Sequence, residues 1–266
     1  MKILGIVGSP RRDKGLTHET VSQVLAGARE AGAETQLLFL ADGKPEYCIH
    51  CGHDCFKEGN CIQESAATER SQAIAAADGL VIGAPVYCWQ PNALTACLFD
   101  KFRAPWQSWR TETTNNGRPA LGIAVAGGSG TGVFPALQSI YSWLCIWRYR
   151  PLEPLPVTRF NRASALEQAL AAGKHMAACP RKPYQGAWEL MATYDSLVYL
   201  DYARTDEFRW LSEQIALGLE QRGDARDSLA TIRDLLAEAS ASLQNGDREK
   251  AVQQYIESYG LGAQLW

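Results

Sequence analysis

The chain has 266 residues, 46% of them hydrophobic, and a formal net charge of −3. That balance supports a sizeable core, gives nucleic acid no basic footprint, and includes no run of about 18 apolar residues that would span a membrane. Arg11 and Arg12 follow an apolar stretch too short for a secretory signal, so a cytoplasmic, reducing location is expected. In such a location the eight cysteines read as ligands, redox groups or small core residues rather than as disulfides.

The apolar run Ile3–Val7 predicts a buried strand leading into Gly8-Ser9-Pro10 and a polar loop. A helix opens near Thr17 and closes at Gly32, with Val21, Val24, Leu25 and Ala28 at helical spacing. A strand that passes through a loop onto a helix N-terminus gathers free N–H groups and the positive end of the dipole at one spot. Ser9 and Thr17 add hydroxyl donors there, and Arg11 adds a bidentate cation, which suits a phosphate monoester. The same residues also suit an ordinary turn in which Ser9 and Thr17 cap locally.

Further along, Thr35–Leu40 predicts a second strand, followed by a cysteine-rich loop over 45–62. A helix over Ser65–Ala77 precedes a third strand, Leu80–Ala84, which is expected to break at Pro85. Asn92–Phe102 predicts a helix with Leu94, Cys97, Leu98 and Phe102 on one face. A tryptophan-bearing connection then leads to a fourth strand, Ala120–Ala126, the run Gly127-Gly128-Ser129-Gly130-Thr131-Gly132, and a helix over Phe134–Ile146. A fifth strand is expected over Leu152–Val157 and a closing helix over Ala163–Ala178. Apolar, non-alternating strands that alternate with helices imply an α/β fold: a doubly wound, five-stranded parallel sheet of order 2-1-3-4-5. Residues 1–178 form that domain, and 179–266 form a helical appendage with helices near 187–201, 205–222, 227–244 and 247–258. Its last hairpin, turning at Gly246-Asp247, resembles a single tetratricopeptide-like pair, too little for a solenoid.

Three loops fall at carboxyl ends of strands, where such sheets bind ligands. The second, Gly83 to Trp89, offers backbone groups beside Tyr87 and Trp89, as a flat ring with polar edges requires. The third, from Gly127, lets backbone approach such a ring closely. Cys48, Cys51, Cys55 and Cys61 have ligand-like spacing. A 4Fe–4S cluster, zinc (on four sulfurs or shared with His50 or His53), free thiols and a redox pair such as Cys48 with Cys51 are the open readings.

Gly8-Ser9-Pro10-Arg11 followed by Gly15-Leu16-Thr17 resembles the phosphate loop of the NADPH-dependent FMN reductase superfamily. Asp78 to Tyr87 is similar to that superfamily's third-strand signature. The resemblance covers residues 1 to about 160 and implies a flavodoxin-like fold with non-covalent FMN. It implies Ser9, Arg11, Gly15, Leu16 and Thr17 at the phosphate, and Pro85, Val86, Tyr87, Cys88 and Trp89 along the ring. Gly127, Gly128, Ser129 and Gly130 are implied at the ring edge. The chain departs from the pattern by one extra residue before Gly15 and by Leu16 in place of asparagine. The iron–sulfur flavoprotein branch carries four cysteines at this place after the second strand, with two residues between the second and third. Here there are three, Gly52 to Asp54.

The implied function is electron transfer from NAD(P)H or ferredoxin to an acceptor through FMN and a 4Fe–4S cluster, in a homodimer or homotetramer. The cofactors carry the chemistry, so no catalytic side chain is expected. Alternatives are a cluster-free NAD(P)H-dependent reductase of quinones, nitro or azo compounds, an electron carrier fed by ferredoxin, and a zinc-stabilised structural protein. Cys97 is expected in the core, Cys145 and Cys179 are expected to be structural, His18 reads as an exposed helix residue or a phosphate contact, and His175 is expected at the surface. Trp106 and Trp109 are expected over the flavin or at a subunit contact.

Overall fold

The computed structural model describes residues 1–43, 45–58, 60–102, 115–223 and 226–266. Trp106 and Trp109 lie outside the described residues.

Strand β1 (Lys2–Val7) leads to helix α1 (Leu16–Glu30), β2 (Glu34–Phe39) and a 3-10 turn at Leu40–Asp42. The cysteine loop carries the short helix α2 (Cys55–Glu58) before α3 (Ser65–Ala76). Then come β3 (Gly79–Tyr87), β4 (Gln90–Pro91), α4 (Ala93–Lys101), β5 (Pro119–Ala126) and α5 (Val133–Ile146). The chain continues through β6 (Arg150–Pro151), β7 (Leu155–Thr158) and α6 (Arg162–Ala178). Four further helices follow: α7 (Ala187–Asp195), α8 (Arg204–Arg222), α9 (Arg226–Gln244) and α10 (Arg248–Leu265).

The sheet runs β2-β1-β3-β5, with β6 and β7 in succession along the outer edge of β5. All these pairings are parallel. With the two short pieces counted as one interrupted strand, this is the expected 2-1-3-4-5 winding. The interruption has a side-chain cause. Tyr141, buried on α5, accepts from Gly122 N–H at 3.1 Å and donates to Leu152 carbonyl at 2.8 Å, replacing a missing rung of the ladder.

Alternate residues of each strand feed two cores, as the period of 2 requires. Ile3, Val7, Val81, Ile123 and Val157 meet α1 and α6 on one face. Leu4, Ile6, Leu80, Ile82 and Ala124 meet α5 and its neighbours on the other. That second core continues into Trp210, Leu211 and Ile215 of α8, so the C-terminal helices close over the sheet's helical layer.

The third strand does not break at Pro85. The proline costs one N–H, but Pro85 pairs with Val125, and Val86 and Tyr87 pair antiparallel with Pro91 and Gln90, carrying the strand to Tyr87. Asp195 ends α7 earlier than the expected 201 because the chain turns back there. Tyr199, at φ 74°, stacks on Phe134 with centroids 5.0 Å apart.

Candidate functional site

The carboxyl ends of β1, β3 and β5 are adjacent, and their loops touch. Gly8 N–H donates to Gly83 carbonyl at 2.8 Å, and Asn92 Nδ2 donates to Gly8 carbonyl at 2.8 Å. Thr95 Oγ1 donates to Asn92 Oδ1 at 2.7 Å, holding that amide in place. A Cβ on Gly8 would collide with Thr95 Oγ1, so only glycine permits this close crossing of the first two loops.

Beyond Gly8 the first loop folds on itself. Ser9 is buried and its hydroxyl accepts from Arg11 N–H at 3.2 Å. Arg12 adopts φ 56° and pairs with Asp42 at 2.5 Å, tying the loop to the end of β2. Helix α1 starts from Gly15 without a side-chain cap. The Arg11 guanidinium carbon stands 3.8 Å from the Cβ position of Gly15, at the positive end of that helix. Thr17 is buried in the first turn. Uncapped amides and a cation in one place repel each other and form a receptor for an anion. His18, expected at the surface, is half-buried; its ring lies 5.7 Å from that of Phe39 and its Nε2 is 3.1 Å from Ser22 Oγ.

The second loop is a tight hairpin turn at Cys88 and Trp89, with φ 49° and 65°. Two positive values in succession are the signature of a type I′ turn, here built without glycine or asparagine. Tyr87 and Cys88 are exposed. Trp89 is not a free aromatic face. Its Cα lies 2.6 Å from the Cβ position of Gly132, and Arg204 of α8 stands 4.4 Å from its ring centroid.

In the third loop, Gly127 and Gly128 are exposed with open space above them, and Ser129 is exposed beside them. Gly130 is buried under Leu211 and Phe160, away from the open edge. The end of the loop is held by the C-terminal helices. Glu207 of α8, fully buried, accepts from Gly132 and Phe134 N–H, each at 3.0 Å, and Tyr259 of α10 donates to Ser129 carbonyl at 2.8 Å. Burial pushes the Glu207 carboxyl above its usual range, although the α5 amides pull the other way. Nothing local in the sequence signals this cap, because Glu207 lies 75 residues from Gly132.

The four cysteines of the second-strand loop line one cleft of about 470 Å³, together with His50, His53, Asp54 and Asp100. Cys48 and Cys51 are exposed, Cys55 and Cys61 half-buried. Among the described residues no three Cys, His, Asp or Glu side chains gather closely enough to hold a metal ion. The donor set, four thiols on one cleft, nevertheless suits a thiolate-bound cluster. Within the loop, His53 Nε2 lies 2.9 Å from Asn60 Oδ1 and Lys57 pairs with Asp54 at 2.6 Å, and Cys61 N–H donates to Thr68 Oγ1 of α3 at 3.0 Å.

Its base is better fixed, by a buried charge cluster not foreseen from the sequence. Glu64 pairs with Arg70 and with Lys101 (3.0 Å), and accepts from Glu46 N–H at 3.4 Å, joining both ends of the loop to α3 and α4. Burial alone would raise the Glu64 carboxyl, but the hydrogen bonds from Arg70 and Lys101 outweigh it and hold it below its usual range. Cys97, Cys145 and Cys179 are half-buried thiols that burial pushes up, as structural cysteines behave. His175 Nε2 lies 3.5 Å from Cys179 Sγ on α6.

The sequence model of the NADPH-dependent FMN reductases matches residues 1–151. An iron–sulfur flavoprotein of Methanocaldococcus jannaschii is 32% identical over 146 residues, 55% of this chain and 72% of that protein. The iron–sulfur flavoprotein of Methanosarcina thermophila is 30% identical over 146 residues, 55% of this chain and 74% of that one. Among solved structures, RosB with bound 8-demethyl-8-formylriboflavin-5′-phosphate superposes with a TM-score of 0.55 at 15% identity, covering 73% of this chain and 86% of that one. That likeness shows the fold. The chain therefore belongs to the NADPH-dependent FMN reductase family, in its iron–sulfur flavoprotein branch, and is a flavin-dependent oxidoreductase.

Proposed function

We propose that this chain binds FMN across its three carboxyl-end loops and a 4Fe–4S cluster on Cys48, Cys51, Cys55 and Cys61, and passes electrons from NAD(P)H or ferredoxin to an acceptor. The observation that carries the flavin site is Arg11 standing over the uncapped N-terminus of α1. A doubly charged phosphate stabilises two such positive features in one place. Arg11, the first amides of α1 and the hydroxyls of Ser9 and Thr17 would hold that phosphate. The open backbone of Gly127 and Gly128 and the exposed Tyr87 would border the ring, with Val86 and Cys88 supplying backbone groups, while the Pro85 carbonyl is taken by Asn92 N–H at 3.1 Å.

Bound FMN supplies hydride acceptance and single-electron release, and a cluster supplies single-electron transfer. The protein's part is placement. The hairpin turn at Cys88 and Trp89 is pinned between Gly132 and Arg204, and Glu207 and Tyr259 hold the loop that borders the ring. Cluster binding would also cross-link the two ends of the loop.

The test is an absorption spectrum of anaerobically purified protein with iron, sulfide, zinc and flavin assays. One flavin with about four iron and four sulfide per chain supports the reading. Flavin without iron would replace it with a cluster-free reductase, and protein that purifies colourless and rejects added FMN would overturn it.

A further inference from the structure

Between α7 and the C-terminal end of α5 the surface opens into a groove of about 540 Å³. Ile146, Met191, Tyr194 and Leu200 supply apolar wall, and Asp195 and Asp201 lie on its rim. No lysine or arginine among the described residues lines it, and neither aspartate has an ion pair there. Large apolar side chains stand out of the same face: Trp188 is 69% exposed, Ile146 55%, Met191 45% and Val198 45%. Single exposed apolar residues are ordinary, but four gathered beside an apolar groove mark a contact surface.

The spacing of α7 explains the arrangement. Leu190 and Tyr194 turn inward and are buried, which leaves Trp188, Met191 and Asp195, at i, i+3 and i+7, along the outer stripe. The two ends of that stripe differ in charge. Helix α7 starts from Gly186 without a side-chain cap. Arg150 bridges the Lys182 carbonyl at 3.1 Å and Glu189 at 2.7 Å, which brings Lys182 to the first turn. The last turn ends on Asp195 with no base to offset it, a carboxylate at the negative end of the helix dipole.

Such a stripe is complementary to itself. With two copies of α7 antiparallel across a two-fold axis near Met191, residue 188 of each copy faces residue 195 of the other. The indole then enters the apolar groove, and its Nε1–H, which has no acceptor among the described residues, gains the Asp195 carboxylate. Each Asp195 in turn meets an uncapped helix N-terminus and a lysine, the charges that its own helix end lacks.

We infer that a second copy of this chain docks on this face, in an isologous dimer in which each Trp188 seats in the other copy's groove between α5 and α7. The family match ends at residue 151, so Trp188 and the helix that presents it lie outside the matched segment. The inference does not depend on the donor, acceptor or cluster reading above.

The test is sedimentation velocity of the full chain, as purified, over a dilution series. We expect a dimer whose dissociation constant rises a hundredfold or more in Trp188→Glu and in Met191→Glu, because each substitution enters the contact twice. Both side chains are exposed, so the thermal unfolding midpoint of the dissociated variants reports whether the fold is intact. Leu217→Glu, exposed on α8 outside the groove, should leave the dimer as it is. For the orientation, Met191→Cys treated with a short thiol-specific cross-linker should join the two α7 helices, read as a linked peptide by mass spectrometry. A wild-type chain that is monomeric throughout, a dimer that survives both charged substitutions, one that Leu217→Glu dissolves instead, or a dimer without the α7 cross-link would each overturn the inference.

Discussion

Glu207 of α8 accepts the backbone N–H of Gly132 at 3.0 Å, from a position with almost no solvent exposure. The anion site at the N-terminus of α5 is therefore filled from within the chain, whereas the one at α1 stays open. Two otherwise similar strand-to-helix loops thus differ: a carboxylate from a distant helix caps the one before α5, and no side chain caps α1.

Replacing Glu207 by glutamine leaves a single acceptor oxygen for two amides. We expect a loss of about 1–3 kcal/mol of stability, read by urea unfolding, together with weaker FMN retention. Glu207→Ala should cost more, since it also leaves a cavity. Unfolding midpoints and flavin affinity equal to wild type in both variants would show that the cap does not hold the loop.

Arg11→Ala removes the cation over α1 without touching the core. FMN affinity should fall by a factor of ten to a hundred, corresponding to about 1.5–3 kcal/mol for hydrogen bonds to a charged group. Flavin-fluorescence titration measures it. Riboflavin, lacking the phosphate, should bind wild type and variant alike, so a parallel loss for riboflavin would place Arg11 somewhere other than at the phosphate.

Serine in place of Cys51 should abolish iron and sulfide while flavin stays bound, because the two sites occupy different loops. Cys97→Ser, on α4, should keep both. Iron retained at wild-type level in Cys51→Ser, and likewise in Cys48→Ser, would exclude the proposed four-cysteine ligand set.

The Glu64 cluster predicts an acid-sensitive stability. Its carboxyl is held below the usual value of 4.5. The stability it contributes is therefore complete above about pH 4.5 and is lost as pH falls through the lower, folded-state value. Glu64→Gln leaves Arg70 and Lys101 buried without an anion and should cost about 3–5 kcal/mol at neutral pH. The variant's unfolding midpoint should depend less on pH between about 5 and 3 than that of wild type. A slope equal to wild type across that interval would remove Glu64 from the account.

Legibility followed the range of the interactions. Buried strands, the glycine-serine-proline turn and the cysteine spacing are written in neighbouring residues, because strand period and turn chemistry depend on residues a few positions apart. Those features were enough for the sheet order and for the placing of all three loops. Pro85 misled because a proline's local cost was outweighed by pairing to β4 and β5, which only the folded sheet supplies. Trp89 was expected along the ring, but whether its aromatic face is free depends on Gly132 and Arg204, both far along the chain. The sequence by itself thus determined the alternation of elements, the glycine-serine-proline turn onto α1 and the clustered thiols. Tertiary structure alone decided that Glu207 caps α5 and that Glu64 joins Arg70 and Lys101. Burial and partnering of charges are set by packing between distant segments, and no local pattern encodes them.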